Sequence, residues 1–252
     1  MLRGASTIIL GIIFLTSSHQ VTAQAPEKHI HQREQLWFGY FNQTRFSEKW
    51  GLWVDVHYRM TDDFVRRPFQ FLFRPAATYF LRDSFRLNAG YTLATHFPAK
   101  GMETTRLDHR AWQQIWWNQK HSGFSMLQWL RFEQRFNEKV IRDVKHDGYN
   151  YTFRTRYNMA FFLPLKGKEV KANTPFAAVM NEVFLNFGDR VVYNTFDQNR
   201  LFAGFGYQFT SHLNIQLGYM NIYQQEGSGT DYLSTHAVRF FVFHSLDLRN
   251  TD

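Results

Sequence analysis

Charged side chains recur at every second position in several stretches of this chain, as in Asp55-x-His57-x-Arg59, Arg131-x-Glu133-x-Arg135 and Arg154-x-Arg156. Residues two apart share one face of an extended strand, so this spacing gathers charge on one side of a sheet. Extending the alternation adds Arg74, Arg86, Glu182, Arg200 and Arg239 to the same face. Nine arginines then stand against three carboxylates and one histidine. Two chemistries are open to such a set. Arginine and glutamate ladders can neutralise one another and fill a narrow interior. An uncompensated guanidinium excess instead favours small anions, such as carboxylates or acidic sugars, in a passage.

Nucleophilic catalysis needs a hydroxyl and a base within reach on one face, and the sequence serves this poorly. Ser47, Ser84, Ser122, Ser211, Ser228 and Ser234 read as turn or loop residues, and Ser245 adjoins His244 and so points to the opposite face. His57, between Asp55 and Arg59, is the best-placed base. A membrane-embedded hydrolase acting on lipid or lipopolysaccharide is therefore an alternative reading, with a surface-loop binding protein beside it. No residue is assigned a catalytic role, and no cofactor is implied. His29 and His31, near Glu27 and Glu34, lack the third histidine of a metal site and read as a solvated tail. Gly204 and Gly206 have neither the third glycine nor the helix of a phosphate loop, and read as relief for bulky side chains on an inner wall.

The elements that must position these residues begin after a leader. Arg3, an apolar run over 8–15 and small residues beyond it form the pattern of a secretory signal peptide, with cleavage expected after Ala23 or Ala25. Residues 1–23 are thus read as the signal and 24–252 as a single barrel. No later stretch approaches the ~18 uncharged apolar residues of a membrane helix. Cysteine is absent, so neither disulfides nor a lipidated N-terminal cysteine is available. Aromatic residues make up 18% of the chain, yet the mean hydropathy is only −0.42. An exported chain reconciles the two by giving every strand one apolar and one polar face, as an outer-membrane barrel does. The net charge of +8 is spread singly along strands rather than in patches, which argues against a nucleic-acid partner.

The period-two pattern is clearest over 149–163. There Tyr149, Tyr151, Phe153, Thr155, Tyr157, Met159, Phe161 and Leu163 oppose Asn150, Thr152, Arg154, Arg156, Asn158 and Ala160. Comparable alternation at 50–60, 85–96 and 199–210, with weaker segments at 35–46, 69–81, 109–120, 124–136, 176–187, 213–224 and 236–248, makes eleven strands. Bacterial single-chain barrels carry an even number. A twelfth strand within 26–34 is therefore expected, with ten strands as the fallback. Tight turns near 47–49, 82–84, 122–123 and 211–212 alternate with polar loops at 60–68, 97–108, 137–148, 188–198 and 225–235, while the connection at 164–175 is too long for its side. A soluble β-sandwich also alternates. Mid-strand arginine opposite almost wholly aromatic faces favours the antiparallel transmembrane β-barrel instead, in the outer membrane of a Gram-negative bacterium. Its expected partners are outer-membrane lipid and lipopolysaccharide, the barrel-assembly machinery during biogenesis, and small anionic solutes.

From Asn181 onward the motifs Asn-Glu-Val-Phe-Leu-Asn-Phe-Gly (181–188), Phe-Asp-Gln-Asn-Arg-Leu (196–201), Gly-Phe-Gly-Tyr (204–207) and Leu-Gly-Tyr-Met-Asn (217–221) stand in succession. With Trp37, Trp50 and Arg-Phe-Glu-Gln-Arg (131–135), they resemble an uncharacterised family of outer-membrane barrels, a domain of unknown function found mainly in the Bacteroidota. The resemblance implies fold and location and carries no activity with it.

Overall fold

The computed structural model describes residues 27–249; the expected signal peptide and its cleavage sites lie outside them. The described chain is all β. Its strands are β1 (His29–Arg45), β2 (Trp50–Thr61), β3 (Arg67–Arg82), β4 (Phe85–His96), β5 (Arg106–His121), β6 (Phe124–Ile141), β7 (Val144–Pro164), β8 (Thr174–Phe187), β9 (Phe196–Gln208), β10 (Leu213–Gln225) and β11 (Asp231–Asp247). Each pairs antiparallel with its sequence neighbour, and β1 pairs with β11 to close a barrel.

The eleven segments read from periodicity are the strands, and the expected twelfth is absent from the described residues. Residues placed in it, including His29 and His31, are instead the first part of β1, paired with Asp231 and Leu233 of β11 rather than forming a solvated tail. The physical reason is directional. An odd number of up-and-down strands leaves the first and last running the same way, and a parallel ladder satisfies their backbone groups as fully as an antiparallel one. Accordingly β1 and β11 are in parallel register from His29↔Asp231 to Arg45↔Asp247.

Burial alternates along the strands in the register read from the sequence. In β7, Arg154, Arg156, Asn158 and Ala160 are buried, whereas Tyr151, Tyr157 and Leu163 face outward. Inward aromatic rings need space on the same wall, and glycine provides it. A Cβ at Gly90 would lie 2.6 Å from the Trp112 ring, and one at Gly39 would lie 2.7 Å from Phe241. Gly206 likewise accommodates Phe176.

One mouth carries the long loops and the start of β1. The expected loop at 137–148 is there replaced by strand: β6 and β7 stay paired to Ile141↔Val144 and turn through Arg142 and Asp143. Both turn residues have positive φ, 49° and 63°, the backbone of a tight primed hairpin. Because β5 pairs with β6 only as far as Asp108↔Asn137, this hairpin projects past its neighbour on that side. At the other mouth, the long connection after β7 folds back on the β5–β6 turn, where Lys168 O accepts a hydrogen bond from Gly123 N at 3.0 Å.

Candidate functional site

The barrel interior has three tiers. At mid-height, side chains from facing strands meet in a buried ion network. On β7, Arg154 Nη2 donates to Glu133 Oε2 of β6 at 2.6 Å and Nη1 to Asp197 Oδ2 of β9 at 3.0 Å. Arg156 links Glu133 (Nη1 to Oε1, 2.8 Å) with Glu182 of β8 (Nη2 to Oε1, 2.5 Å). Arg200 of β9 extends the chain, 3.7 Å from Glu182. A second node lies on β2 and β3, where Arg74 donates to Asp55 at 2.6 Å and to His57 Nε2 at 2.7 Å. A third joins Asp108 to Arg110 at 2.6 Å and Arg135 at 2.8 Å. Glu133, Asp55 and Asp108 are fully buried.

Carboxylates do not match the arginines in number. Twelve arginines (the nine expected with Arg33, Arg106 and Arg110) share this interior with Asp55, Asp108, Glu133, Glu182, Asp197 and Glu226. The surplus guanidinium groups lie on aromatic faces: Arg59 over Trp37 at 3.4 Å, Arg239 over Phe202 at 3.4 Å, Arg86 over Trp116 at 3.6 Å and Arg131 over Trp112 at 4.0 Å. Such contacts are worth ~0.5–2 kcal/mol each, more where water is excluded. Trp37 also sits 5.1 Å from Arg200, so one indole joins the β2 and β9 sides across the lumen.

Above this plug, toward the long-loop mouth, lies a vestibule of about 530 Å³. Below it, a smaller cavity of about 150 Å³ is walled by Phe41, Trp53, Trp129, Phe202 and Phe243. Trp37, Arg59, Arg74, Arg156 and Arg200 border both and form the partition between them.

All thirteen residues singled out by alternation point inward. The structure joins eleven of them around the plug and vestibule; Arg239 lines the lower cavity, stacked on Phe202, and Arg86 lies apart, stacked on tryptophan near the opposite rim. Sequence reasoning missed Arg106, Asp108 and Asp197, because their strands begin earlier than the polar flanks suggest, and it missed Arg33 in the stretch given to a twelfth strand and Arg110 in a segment, 109–120, that alternates poorly. β5 starts at Arg106 and β9 at Phe196, so Arg106-x-Asp108 already follows the inner spacing where a loop was expected. Among the described residues no Ser or Thr hydroxyl is hydrogen-bonded to a histidine ring; His57 has Asp55 and Arg74 as its partners.

A family model described as "Protein of unknown function (DUF2490)" matches residues 34–233, most of the described barrel. The chain belongs to the DUF2490 family. Comparison with curated proteins and with solved structures gave no match. The matched segment of this DUF2490 barrel includes the full ion network.

The DUF2490 barrel's vestibule has a clamped rim. Asp143, at the tip of the projecting hairpin, accepts backbone N–H bonds from Glu103 and Thr104 at 2.9 Å each, and its carbonyl accepts the Thr104 hydroxyl. These amides hold the Asp143 carboxyl below its ordinary pKa. A depressed folded-state pKa stabilises the contact above the free value of ~3.9, and that stabilisation is lost as pH falls through the lower folded value. The clamp is therefore intact at neutral pH. Asp143→Ala is expected to free the 97–105 loop, because it removes the acceptor of both amides. Faster tryptic cleavage after Lys100 in the variant would report it; equal cleavage rates would show that the loop is held by other contacts.

Proposed function

We propose that this chain is an outer-membrane barrel of a Gram-negative bacterium, exported by its N-terminal segment. Its lumen is closed at rest, and its long-loop mouth receives small anionic solutes. The observation that carries the reading is the inversion of the molecule. Charge fills the interior, while Leu52, Phe73, Ile115, Leu130, Phe205 and Leu217 are among many large apolar side chains exposed outside. A water-soluble monomer rarely exposes a continuous apolar patch beyond a few hundred Å². A bilayer requires such a surface around its whole circumference. Aromatic residues near both rims agree with interfacial girdles, including Trp50 and Phe209 at one end and Tyr58 and Tyr149 at the other. Outward tyrosines also bond histidines, as in Tyr40–His244 at 3.0 Å and Tyr91–His109.

The mid-height plug favours a closed barrel over a passive pore. Arginine, glutamate and tryptophan from β1, β2, β6, β7, β8 and β9 meet across the lumen with fully buried carboxylates. An ion would have to displace several charge-assisted bonds to pass. The expected result is recovery in outer membranes, altered gel mobility when unheated, and no steady current from the refolded protein in planar bilayers. Soluble periplasmic recovery without detergent would overturn the membrane location, and steady ohmic conductance would overturn the closed lumen.

A further inference from the structure

We infer that the vestibule above the plug is a binding site for a small solute bearing two or more oxyanion groups, carboxylate or phosphate. The inference deepens the closed-barrel reading and rests on it for the floor of the site. At about 530 Å³ the space falls within the ~300–1,000 Å³ of pockets that hold small molecules. Nine arginines line it against two carboxylates, Asp197 and Glu226. Most of the deeper arginines are committed: Arg154, for instance, spends its fork on Glu133 and Asp197. Three are not. Among the described residues Arg33, Arg59 and Arg106 form no ion pair, and they project from β1, β2 and β5 into the same space.

Arg59 carries the argument furthest. It is 7% exposed, lies over the Trp37 ring, and donates through Nη1 to the neutral Gln70 at 2.7 Å. Its Nε is buried with no hydrogen-bond partner, and the same holds for Nε of Arg135 on the vestibule wall. A guanidinium charge held in a mostly buried position with only a neutral acceptor is costly, and an oxyanion at the vestibule wall is the group that would offset it. One singly charged ion could not serve cations spread over β1, β2 and β5, which is why the ligand must carry at least two anionic groups. Gln35, Gln70, Gln198 and Gln224 add neutral donors and acceptors suited to hydroxyls between them. The plug beneath makes this a terminus and not a passage.

The test uses full-length protein folded in detergent micelles and titrated calorimetrically, at constant ionic strength, with citrate, pyrophosphate and glucose. Citrate or pyrophosphate should bind saturably with one-to-one stoichiometry, and glucose should not bind. The stronger of the two anions assigns the carboxylate or the phosphate class. Arg106→Gln should weaken that binding about tenfold, whereas Arg82→Gln, exposed at the far rim, should leave it unchanged. Absence of saturable binding by either anion would overturn the site, as would equal weakening by both variants. Unheated gel mobility and bilayer current are read on the same preparation. A folded, non-conducting barrel that binds neither anion removes the site and leaves the closed barrel standing. A conducting barrel that binds citrate does the reverse.

Discussion

Glu133→Gln is expected to lower the unfolding free energy of the barrel by about 3 kcal/mol, measured by urea denaturation in lipid vesicles, because it strips the counter-charge from two buried guanidinium groups. Glu133 accepts from Arg154 at 2.6 Å and from Arg156 at 2.8 Å, and Arg131 stands 3.9 Å away. Each of the first two keeps one other carboxylate, Asp197 or Glu182, which holds the loss to the lower part of the ~3–5 kcal/mol seen when a buried pair is broken. Glutamine preserves shape, so packing is not the variable. Glu138→Gln serves as control: its partner Lys145, 3.0 Å away, is half exposed, and such a pair contributes ~0–1 kcal/mol. Equal small losses from both variants would mean that water reaches Glu133, and the closed lumen would fall with that result.

Leu217→Arg separates bilayer from water by magnitude. Leu217 is 53% exposed on the outer face of β10, paired with Phe205 of β9 and Phe240 of β11. On a soluble protein an exposed leucine exchanged for arginine changes stability by ~0.5 kcal/mol or less. On a lipid-facing wall the same exchange costs ~2–4 kcal/mol near the midplane. The membrane reading therefore expects a marked fall in the yield of heat-modifiable barrel and in its urea midpoint. An unchanged midpoint in both micelles and buffer would place this face in water.

Much of this architecture was legible because a strand declares its faces through a period of two. The pattern over Tyr149 to Leu163 needs no tertiary information, and neither does the inward direction of Arg131, Glu133 and Arg135. What could not be read was where strands stop and who pairs across the lumen. Polar residues near a strand end look like loop, which hid Asp108 and Asp197, and with them two of the five buried carboxylates. The same ambiguity ran the other way at 137–148, where a hairpin continues through Arg142 and Asp143. The count of twelve failed for a different reason: evenness is a habit of bacterial barrels and not a condition of closure. The vestibule itself depends on Trp37, a residue with no charge, lying between Arg59 and Arg200 from strands far apart in sequence.

The parallel seam between β1 and β11 sets an order on assembly. Every other ladder joins neighbours in the chain and can form as a local hairpin, with loop-closure entropy that stays small. The seam joins residues such as Tyr40 and His244, 204 positions apart, so it must wait until the last strand has been delivered. Contacts of such separation slow folding more than any local pairing does. Until then the growing sheet has two raw edges of unpaired amides and carbonyls, each a template for a foreign strand. The hairpins can accumulate early, but the molecule becomes safe from mispairing only in the final step, when its oldest strand meets its youngest.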